Sequence, residues 1–331
     1  MPNPAVDLIT LPAQQQYRSD TFPLAMQPTS EIAVEQACEW IRTQQETLGE
    51  GLSKHGAILF RGFGLTTAED FDAFVRAFDY PNFAYAESLS NAVRVNRTDR
   101  VFTANEAPSD VRIHLHHEMA QTPIYPSRLF FFCEQPAETG GATPLSRSDE
   151  LLDRLREAEP QFVTDCERRG LKYTNVMPAA NDATSGMGRS WQSTLRADSQ
   201  ADAESRLSEL GYSWQWTDDG SLRVTTPVLP AVRPLTNGRT SFFNQLIAAS
   251  QGWKDTRNDP SKAITHGDGT PLDINAVTTA CQIADEITFD IPWQAGDVAL
   301  VDNYAVMHAR RPFTGTRRIL ASLVASSGTN V

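Results

Sequence analysis

The sequence predicts a mainly β fold with peripheral helices. Short apolar runs of strand length recur along the chain, helical patterns gather near the N-terminus and in the middle, and strands and helices do not alternate regularly. Regular alternation or a glycine-rich phosphate loop would indicate a doubly wound parallel sheet. We therefore expect a β core with helices on its outside.

Composition and charge exclude several classes of protein. The chain has 331 residues, 40% hydrophobic and 21% charged, which fits a folded globular protein. Its net charge of −12 disfavours a nucleic-acid partner. Four scattered cysteines do not form a disulfide scaffold, and no apolar run reaches the roughly 18 residues that a membrane span needs. Because no signal peptide is visible either, we expect a cytoplasmic protein without a membrane partner.

The domain organisation follows from local patterns. We expect an irregular, proline-rich arm over residues 1–30, then one domain over residues 31–331. In the first half, helices are expected over 31–48, over the segment that carries Phe71, Phe74 and Phe78, and over 148–159, with strands over 56–60 and 129–133. A capping box at residues 66–69 would start the second helix.

The second half combines strands with a segment of unusual composition. Residues 179–205 are rich in Ala, Ser, Asp and Gly, which suggests a lid or mobile insert. A hairpin is expected over 212–224, a helix over 274–287, and final strands over 296–301 and 319–324. The last two strands would flank a loop that contains His308.

Histidine and glutamate residues suggest a metal site formed by two distant parts of the chain. His116 and Glu118 stand two apart, and side chains at i and i+2 of a strand point to the same side. With His308 they would supply the two imidazoles and one carboxylate typical of non-haem iron oxygenases. His114 shares that face, although three ligands from one segment would crowd the ion. The same set also binds catalytic zinc, so spacing alone leaves a zinc hydrolase open.

Two adjacent arginines shortly after His308 favour an iron enzyme that uses a keto acid. The far carboxylate of a 2-oxo-dicarboxylate needs a fixed cation, and guanidinium pairs with carboxylate through two hydrogen bonds. We expect Arg318 to supply this cation at the start of the last strand, with Arg317 turned outward by strand alternation. Thr143, after a pair of glycines, can add a hydroxyl hydrogen bond to the same ligand.

Several short stretches carry a resemblance to a known family. They are residues 56–63, 116–119, 140–145, 252–260, 266–269, 292–297, 302–303, 308 and 317–320. Through them the chain resembles the taurine dioxygenase / clavaminate-synthase-like family of Fe(II)/2-oxoglutarate oxygenases over about residues 50–325. It is most similar to the branch that includes the syringomycin-cluster hydroxylase and plant clavaminate-synthase-like proteins.

This resemblance implies a fold, cofactors and a reaction class. It implies a double-stranded β-helix (jelly-roll) core, iron on the three metal-ligand candidates, and 2-oxoglutarate held by Arg318 and Thr143. It also implies oxidation of a C–H bond, with O2 as second cosubstrate. Related halogenases lack the carboxylate that Glu118 provides, so halogenation is disfavoured. Many family members carry a second arginine on the last strand, where this chain has Ser322.

The expected substrate is a small polar, amino-acid-like metabolite of specialised metabolism, free or bound to a carrier protein. Several branch relatives act on such compounds. Asn105 and Glu106, just before the metal motif, and Arg94 are candidate contacts for a zwitterion. The same iron site can also desaturate, cyclise or epimerise. A non-catalytic jelly-roll binding protein is the remaining alternative.

Overall fold

The chain forms many short strands and fewer helices. The computed structural model describes residues 3–85, 88–90, 92, 94–104, 107–182, 184–185, 187–253, 257–259 and 262–324. Within these ranges the helices are α1 (Val34–His55), α2 (Ala68–Arg76), α3 (Ser148–Ala158), α4 (Pro160–Arg169), α5 (Trp191–Leu195), α6 (Gln200–Glu209), α7 (Leu246–Gly252) and α8 (Ile274–Glu286). None of these helices is long and apolar enough to cross a membrane.

The strands of the same ranges are β1 (Val6–Leu8), β2 (Gln15–Tyr17), β3 (Asp20–Phe22), β4 (Leu24–Pro28), β5 (Ala57–Phe60), β6 (Phe102–Thr103), β7 (Ile113–His116), β8 (Arg128–Gln135), β9 (Thr139–Gly140), β10 (Pro144–Arg147), β11 (Leu171–Met177), β12 (Ser213–Trp216), β13 (Leu222–Thr225), β14 (Arg233–Pro234), β15 (Thr240–Ser241), β16 (Ile264–His266), β17 (Thr288–Asp290), β18 (Val298–Asp302), β19 (Val306–Arg310), β20 (Phe313–Thr314) and β21 (Arg318–Val324).

Two sheets enclose the main core. The larger has seven strands in the order β1-β4-β5-β18-β8-β21-β6, and the smaller has four in the order β17-β10-β19-β7. Neighbouring strands are antiparallel except β4 and β5. One apolar core combines Phe131 and Ala321 of the larger sheet with Leu145 and Met307 of the smaller sheet. This is the double-sheet arrangement of a jelly roll.

Helices α1 and α2 cover the outer face of the larger sheet. Phe71 of α2 stacks on Phe132 with ring centroids 5.2 Å apart, and Phe78 meets Phe130 at 5.0 Å. Phe130 and Phe132 alternate with Phe131, so β8 is buried on both faces. The predicted core with peripheral helices therefore agrees with the structure.

Some predicted boundaries are wrong. The capping box of α2 is formed one residue later than expected: the Thr67 hydroxyl accepts from the Asp70 backbone N–H at 3.1 Å. The N-terminal arm is not irregular, because it contains β1 to β4, two of which belong to the larger sheet. Its prolines Pro12 and Pro23 lie between strands, where a missing N–H breaks no ladder.

The segment over residues 179–205 contains helix rather than only loop. It includes α5 and the beginning of α6. Their N-caps are Ser190 and Ser199, whose hydroxyls accept from the backbone N–H groups of Ser193 and Asp202. Serine is a preferred N-cap, so a composition that suggested a loop instead marks helix starts.

Candidate active site

Strand pairing unites the two predicted halves of the metal site. β7 and β19 are antiparallel neighbours, and His116 lies directly opposite His308. Their ring centroids are 4.2 Å apart. His308 is therefore in a strand, and the predicted loop around it is wrong. Cross-strand pairing explains how residues so distant in sequence can share one site.

His116, Glu118 and His308 form a compact donor set. Their potential ligand atoms all lie within 4.8 Å of one another. Oε2 of Glu118 is 3.4 Å from Nε2 of His308 and 4.0 Å from Nε2 of His116. His114 is not part of this set, and its carbonyl accepts a hydrogen bond from Nδ1 of His116 at 2.8 Å. That bond turns Nε2 of His116 towards the other two donors.

The protonation states of His116 and Glu118 suit metal binding. Burial, followed by the neighbouring His308 ring, lowers the pKa of His116 to about 3, so this imidazole is neutral at physiological pH. Burial alone would raise the pKa of Glu118, but Arg94 and the two imidazoles hold it below its usual range. Neutral imidazoles and an ionised carboxylate are the forms that bind metals.

Arg94 lies against Glu118. Its Nη2 is 3.1 Å from Oε1 and 3.2 Å from Oε2 of Glu118, and its guanidinium carbon is 4.8 Å from the centroid of the Tyr85 ring. The structure thus places this predicted substrate contact on the Glu118 carboxylate, although its side chain also borders the cavities described below. The other two candidates, Asn105 and Glu106, lie outside the described residues.

A small cavity of about 50 Å³ borders the two histidines. Thr143 and Arg317 line it, together with the apolar Phe131 and Ile319. Arg317 donates from Nε to the carbonyl of Gly141 at 2.7 Å and from Nη2 to Oγ1 of Thr143 at 3.1 Å. Burial, then the nearby Arg310, lowers the pKa of Arg317 to about 10, so it is still a cation at neutral pH.

No carboxylate side chain of the described residues neutralises the small cavity. Across the described residues no carboxylate lines it and none pairs with Arg317. Oγ1 of Thr143 accepts from both Arg317 and Nε1 of Trp293, the latter at 3.0 Å. The hydroxyl hydrogen of Thr143 is then available to an acceptor in the cavity. A buried cation beside a hydroxyl donor is an arrangement that suits a carboxylate.

The structure contradicts the predicted orientation of the two arginines. The Arg318 side chain is 52% exposed and donates from Nε to Glu134 at 2.6 Å. Arg317 lines the small cavity together with Ile319, whereas Arg318 does not, so Arg317 lies on the inner side and Arg318 on the outer side. The sequence was uninformative here because β21 is buried on both faces after its first residue.

Ser322 lies on the outer face of β21, away from the small cavity. It lies opposite Phe130, whose ring packs in the helix-covered layer, whereas Ala321 lies opposite Phe131 on the cavity side. Ser322 is fully buried and its hydroxyl has no hydrogen-bond partner in the described part of the chain. A side chain at this position therefore points away from the small cavity.

A second cavity of about 410 Å³ borders the same donor set on another side. His116 and Glu118 line it, and segment 179–205 contributes Asp182, Thr184, Ser185 and Met187 to its wall. Asp182 pairs with Arg257, which also lines the cavity, through a contact of 3.0 Å. A ligand in this cavity therefore meets both a negative and a positive charge.

Comparisons with known proteins identify the family. Residues 20–323 match the model of the taurine catabolism dioxygenase TauD, TfdA family. The chain belongs to this family. It is 40% identical over 320 residues to a clavaminate synthase-like protein from Arabidopsis thaliana, covering 95% of this chain and 96% of the relative. It is 26% identical over 293 residues to the dapdiamide synthesis protein DdaC of Enterobacter agglomerans, covering 84% of each.

A solved structure supports the TauD/TfdA fold. The structure of AAD-2 in complex with Mn(II) and N-oxalylglycine has a TM-score of 0.53 and 15% identity, and the match covers 99% of this chain and 100% of AAD-2. The predicted jelly-roll core is confirmed. The chain is an iron- and 2-oxoglutarate-dependent dioxygenase, an oxidoreductase, and its His-Glu-His set fits an iron site.

Sequence reasoning missed several residues at this site. Arg317 was placed outside, and Asp182, Arg257 and Trp293 received no role. The Asp182–Arg257 pair joins segments 75 residues apart, and nothing in their local spacing marks it. Trp293 lies in residues 292–297, one of the stretches that carried the family resemblance. Its indole N–H donates to the Thr143 hydroxyl and so helps to orient it.

Proposed function

We propose that this TauD/TfdA family member hydroxylates an unactivated C–H bond of a small polar, amino-acid-like metabolite in specialised metabolism. One observation carries the proposal: the donor set lies between a small cavity and a larger one. The small cavity holds the buried Arg317, which pairs with no carboxylate among the described residues, and the larger cavity presents charges of both signs. The first suits the dicarboxylate cosubstrate, and the second suits the substrate.

His116, Glu118 and His308 would hold the iron. Iron held there supplies the O2 chemistry that no side chain can supply. Both imidazoles come from paired strands, so their rings are fixed before a metal arrives. Arg94 balances the second oxygen of Glu118, which keeps this carboxylate ionised in a buried position.

Arg317 and Thr143 would bind the far carboxylate of 2-oxoglutarate. The guanidinium is already fixed by the Gly141 carbonyl, so little side-chain entropy is lost on binding. Phe131 and Ile319 line the remainder of the cavity and exclude water from the bound keto acid. Exclusion of water strengthens the contact between the arginine and the carboxylate. We assign this role to Arg317 in place of Arg318.

The larger cavity supports an amino-acid-like substrate. Asp182 can accept hydrogen bonds from an ammonium group, and Arg257 can donate to a carboxylate, so the pair matches the two charges of a zwitterion. Met187 and Trp253 add apolar surface beside it. One relative is named as a dapdiamide synthesis protein, which supports a biosynthetic role for this enzyme.

A succinate-release screen tests the proposal. Purified enzyme with Fe(II), 2-oxoglutarate and O2 is offered free amino acids, the same amino acids on a peptidyl carrier protein, and matched acids or amines that carry only one charge. We expect succinate release to rise most with the zwitterions or their carrier-bound forms, and mass spectrometry to show one added oxygen. A product lacking two hydrogens would indicate desaturation or cyclisation. Stimulation by none of the charged compounds would refute the substrate class.

Two variants test whether the substrate binds in the larger cavity. Asp182→Asn removes one charge facing the substrate and should raise the KM for the substrate, while the KM for 2-oxoglutarate stays unchanged. Glu167→Gln is the matched control, because Glu167 pairs with Arg156 at 2.6 Å and lines neither cavity. Equal effects of the two variants would contradict the assignment of Asp182.

A further inference from the structure

Glu118 lacks the strand support that the two histidines have. β7 ends at His116, so the main chain of Glu118 has no ladder partner among the described strands. The next residue, Met119, has a φ of 58°, a left-handed conformation that turns the chain away. Something other than the sheet must therefore hold the backbone from which the Glu118 carboxylate projects.

The side chain of Asn303 takes the place of a strand partner. Its Oδ1 accepts from the Glu118 backbone N–H at 2.8 Å, and its Nδ2 donates to the Glu118 carbonyl at 3.0 Å. These two bonds reproduce the paired N–H and C=O contacts that one residue makes with another in an antiparallel ladder. Asn303 and Glu118 are 185 residues apart in sequence.

Further bonds fix Asn303 itself. Nδ2 also donates to the Pro126 carbonyl at 2.7 Å, and the Asn303 backbone N–H donates to the Ser127 carbonyl at 3.0 Å. The Asn303 carbonyl accepts from Nδ1 of His117. Asn303 and His117 are both fully buried. A fully buried amide with every polar group engaged has one orientation only, which makes it a rigid support.

Asn303 also lies in the connection that leads into β19, the strand that carries His308. It therefore links the carboxylate half of the donor set to the histidine half through the main chain. We propose that Asn303 is a positioning residue that presets the Glu118 carboxylate for metal binding. It touches neither metal nor substrate, and acts through the Glu118 backbone. The inference rests on the metal role proposed for the His-Glu-His set.

The test measures metal affinity in the absence of turnover. Mn(II) is titrated into the metal-free enzyme without cosubstrate, and the free ion is counted by electron paramagnetic resonance, well below the melting temperature of each protein. Loss of a residue that supports a metal ligand typically weakens affinity roughly 10- to 100-fold. We expect a loss of this size for Asn303→Ala.

Asn244 provides the matched control. It is also buried, its Nδ2 donates to the Ala231 carbonyl at 3.0 Å, and its Oδ1 accepts from the Leu246 backbone N–H at 2.9 Å. Asn244→Ala thus removes the same two kinds of bond away from Glu118. It should lower the melting temperature as Asn303→Ala does, with Mn(II) affinity unchanged. A parallel loss of affinity in both variants, or wild-type affinity in Asn303→Ala, would overturn the proposal.

A second variant covers the case in which Asn303→Ala does not fold. Asn303→Asp keeps the shape and the acceptor for the Glu118 N–H, but loses the donor to the Glu118 carbonyl. It should fold and bind Mn(II) roughly tenfold more weakly. If neither variant folds, or if Asn303→Asp binds normally, Asn303 serves the fold alone and the inference is wrong. If wild-type enzyme binds Mn(II) but oxidises no zwitterion, the proposed function fails and this inference survives.

Discussion

The two cavities that meet at the donor set are built in opposite ways. The small one is walled mostly by residues in or next to strands of the two main sheets and holds a fixed arginine. The large one is walled partly by segment 179–205 and by the connection that follows α7, and charges from the two meet across it. A shared cosubstrate can be bound by the invariant core of a fold, whereas a particular substrate needs variable loops.

The two cavities also differ in the charges that line them. The small cavity holds the cation of Arg317, and no carboxylate among the described residues lines it, so it selects its ligand by charge. In the large cavity, Asp182 and Arg257 already pair with each other. The cavity must therefore select a ligand that replaces one member of this pair or binds to both. We therefore expect variants to separate into those that affect both ligands, the cosubstrate alone, or the substrate alone.

The largest effect should come from the donor set, whose members border both cavities. His308→Ala removes one of three metal donors, so stoichiometric metal binding and succinate release should both fall to background. Metal analysis and a succinate assay check this. His266→Ala is the control, since His266 is buried but lies outside the donor set. Retained turnover in His308→Ala would mean that the three residues do not form the catalytic metal site.

The next largest effect should separate the two adjacent arginines. Arg317→Ala leaves the cosubstrate carboxylate buried without its cation, which costs about 2–5 kcal/mol, or roughly 30-fold or more in the KM for 2-oxoglutarate. Arg318→Ala removes a half-exposed side chain paired with Glu134, a contact worth at most about 1 kcal/mol, and should leave this KM unchanged. The reverse ranking would restore the assignment first expected from the sequence.

Arg317 and Arg318 show which parts of the site could be predicted from the sequence and which could not. The motif around His116 and Glu118, together with His308, was enough to predict three side chains that do lie together, because metal chemistry restricts the residue types and their spacing. The choice between Arg317 and Arg318 depended on which face of β21 looks inward. An apolar run on both faces carries no such signal, since the period-two pattern is absent.

The larger cavity was still less predictable. The amino-acid composition of residues 179–205 suggested a lid, yet serine caps start helices there, and Asp182 meets Arg257 only through tertiary contact. Likewise, the role of Asn303 depends on a connection that returns to Glu118 after 185 residues. Local patterns predict elements and chemistry, but long-range register decides which side chains share a site.

An effect of intermediate size should appear on the substrate side alone. Ala248 of α7 lines the large cavity and not the small one. Ala248→Phe would fill space that the substrate needs and should lower kcat/KM for the substrate roughly 10- to 100-fold, the range typical of steric mismatch in a pocket. Steady-state kinetics with each ligand varied in turn checks this, with Ala248→Ser as the size-matched control. A parallel rise in the KM for 2-oxoglutarate would show that the cavities are not independent.

The smallest effect should come from Thr143 on the cosubstrate side. Thr143→Val keeps the shape but removes the hydroxyl, which costs about 1.5–3 kcal/mol if it donates to a carboxylate, or at least roughly tenfold in the KM for 2-oxoglutarate. Part of that loss reflects the contacts with Arg317 and Trp293, which lose their acceptor at the same time. Thr143→Ser restores the hydroxyl and should recover most of the affinity. If Thr143→Ser is as impaired as Thr143→Val, the methyl group and not the hydroxyl matters. The small cavity would then select its ligand by shape as well as by charge.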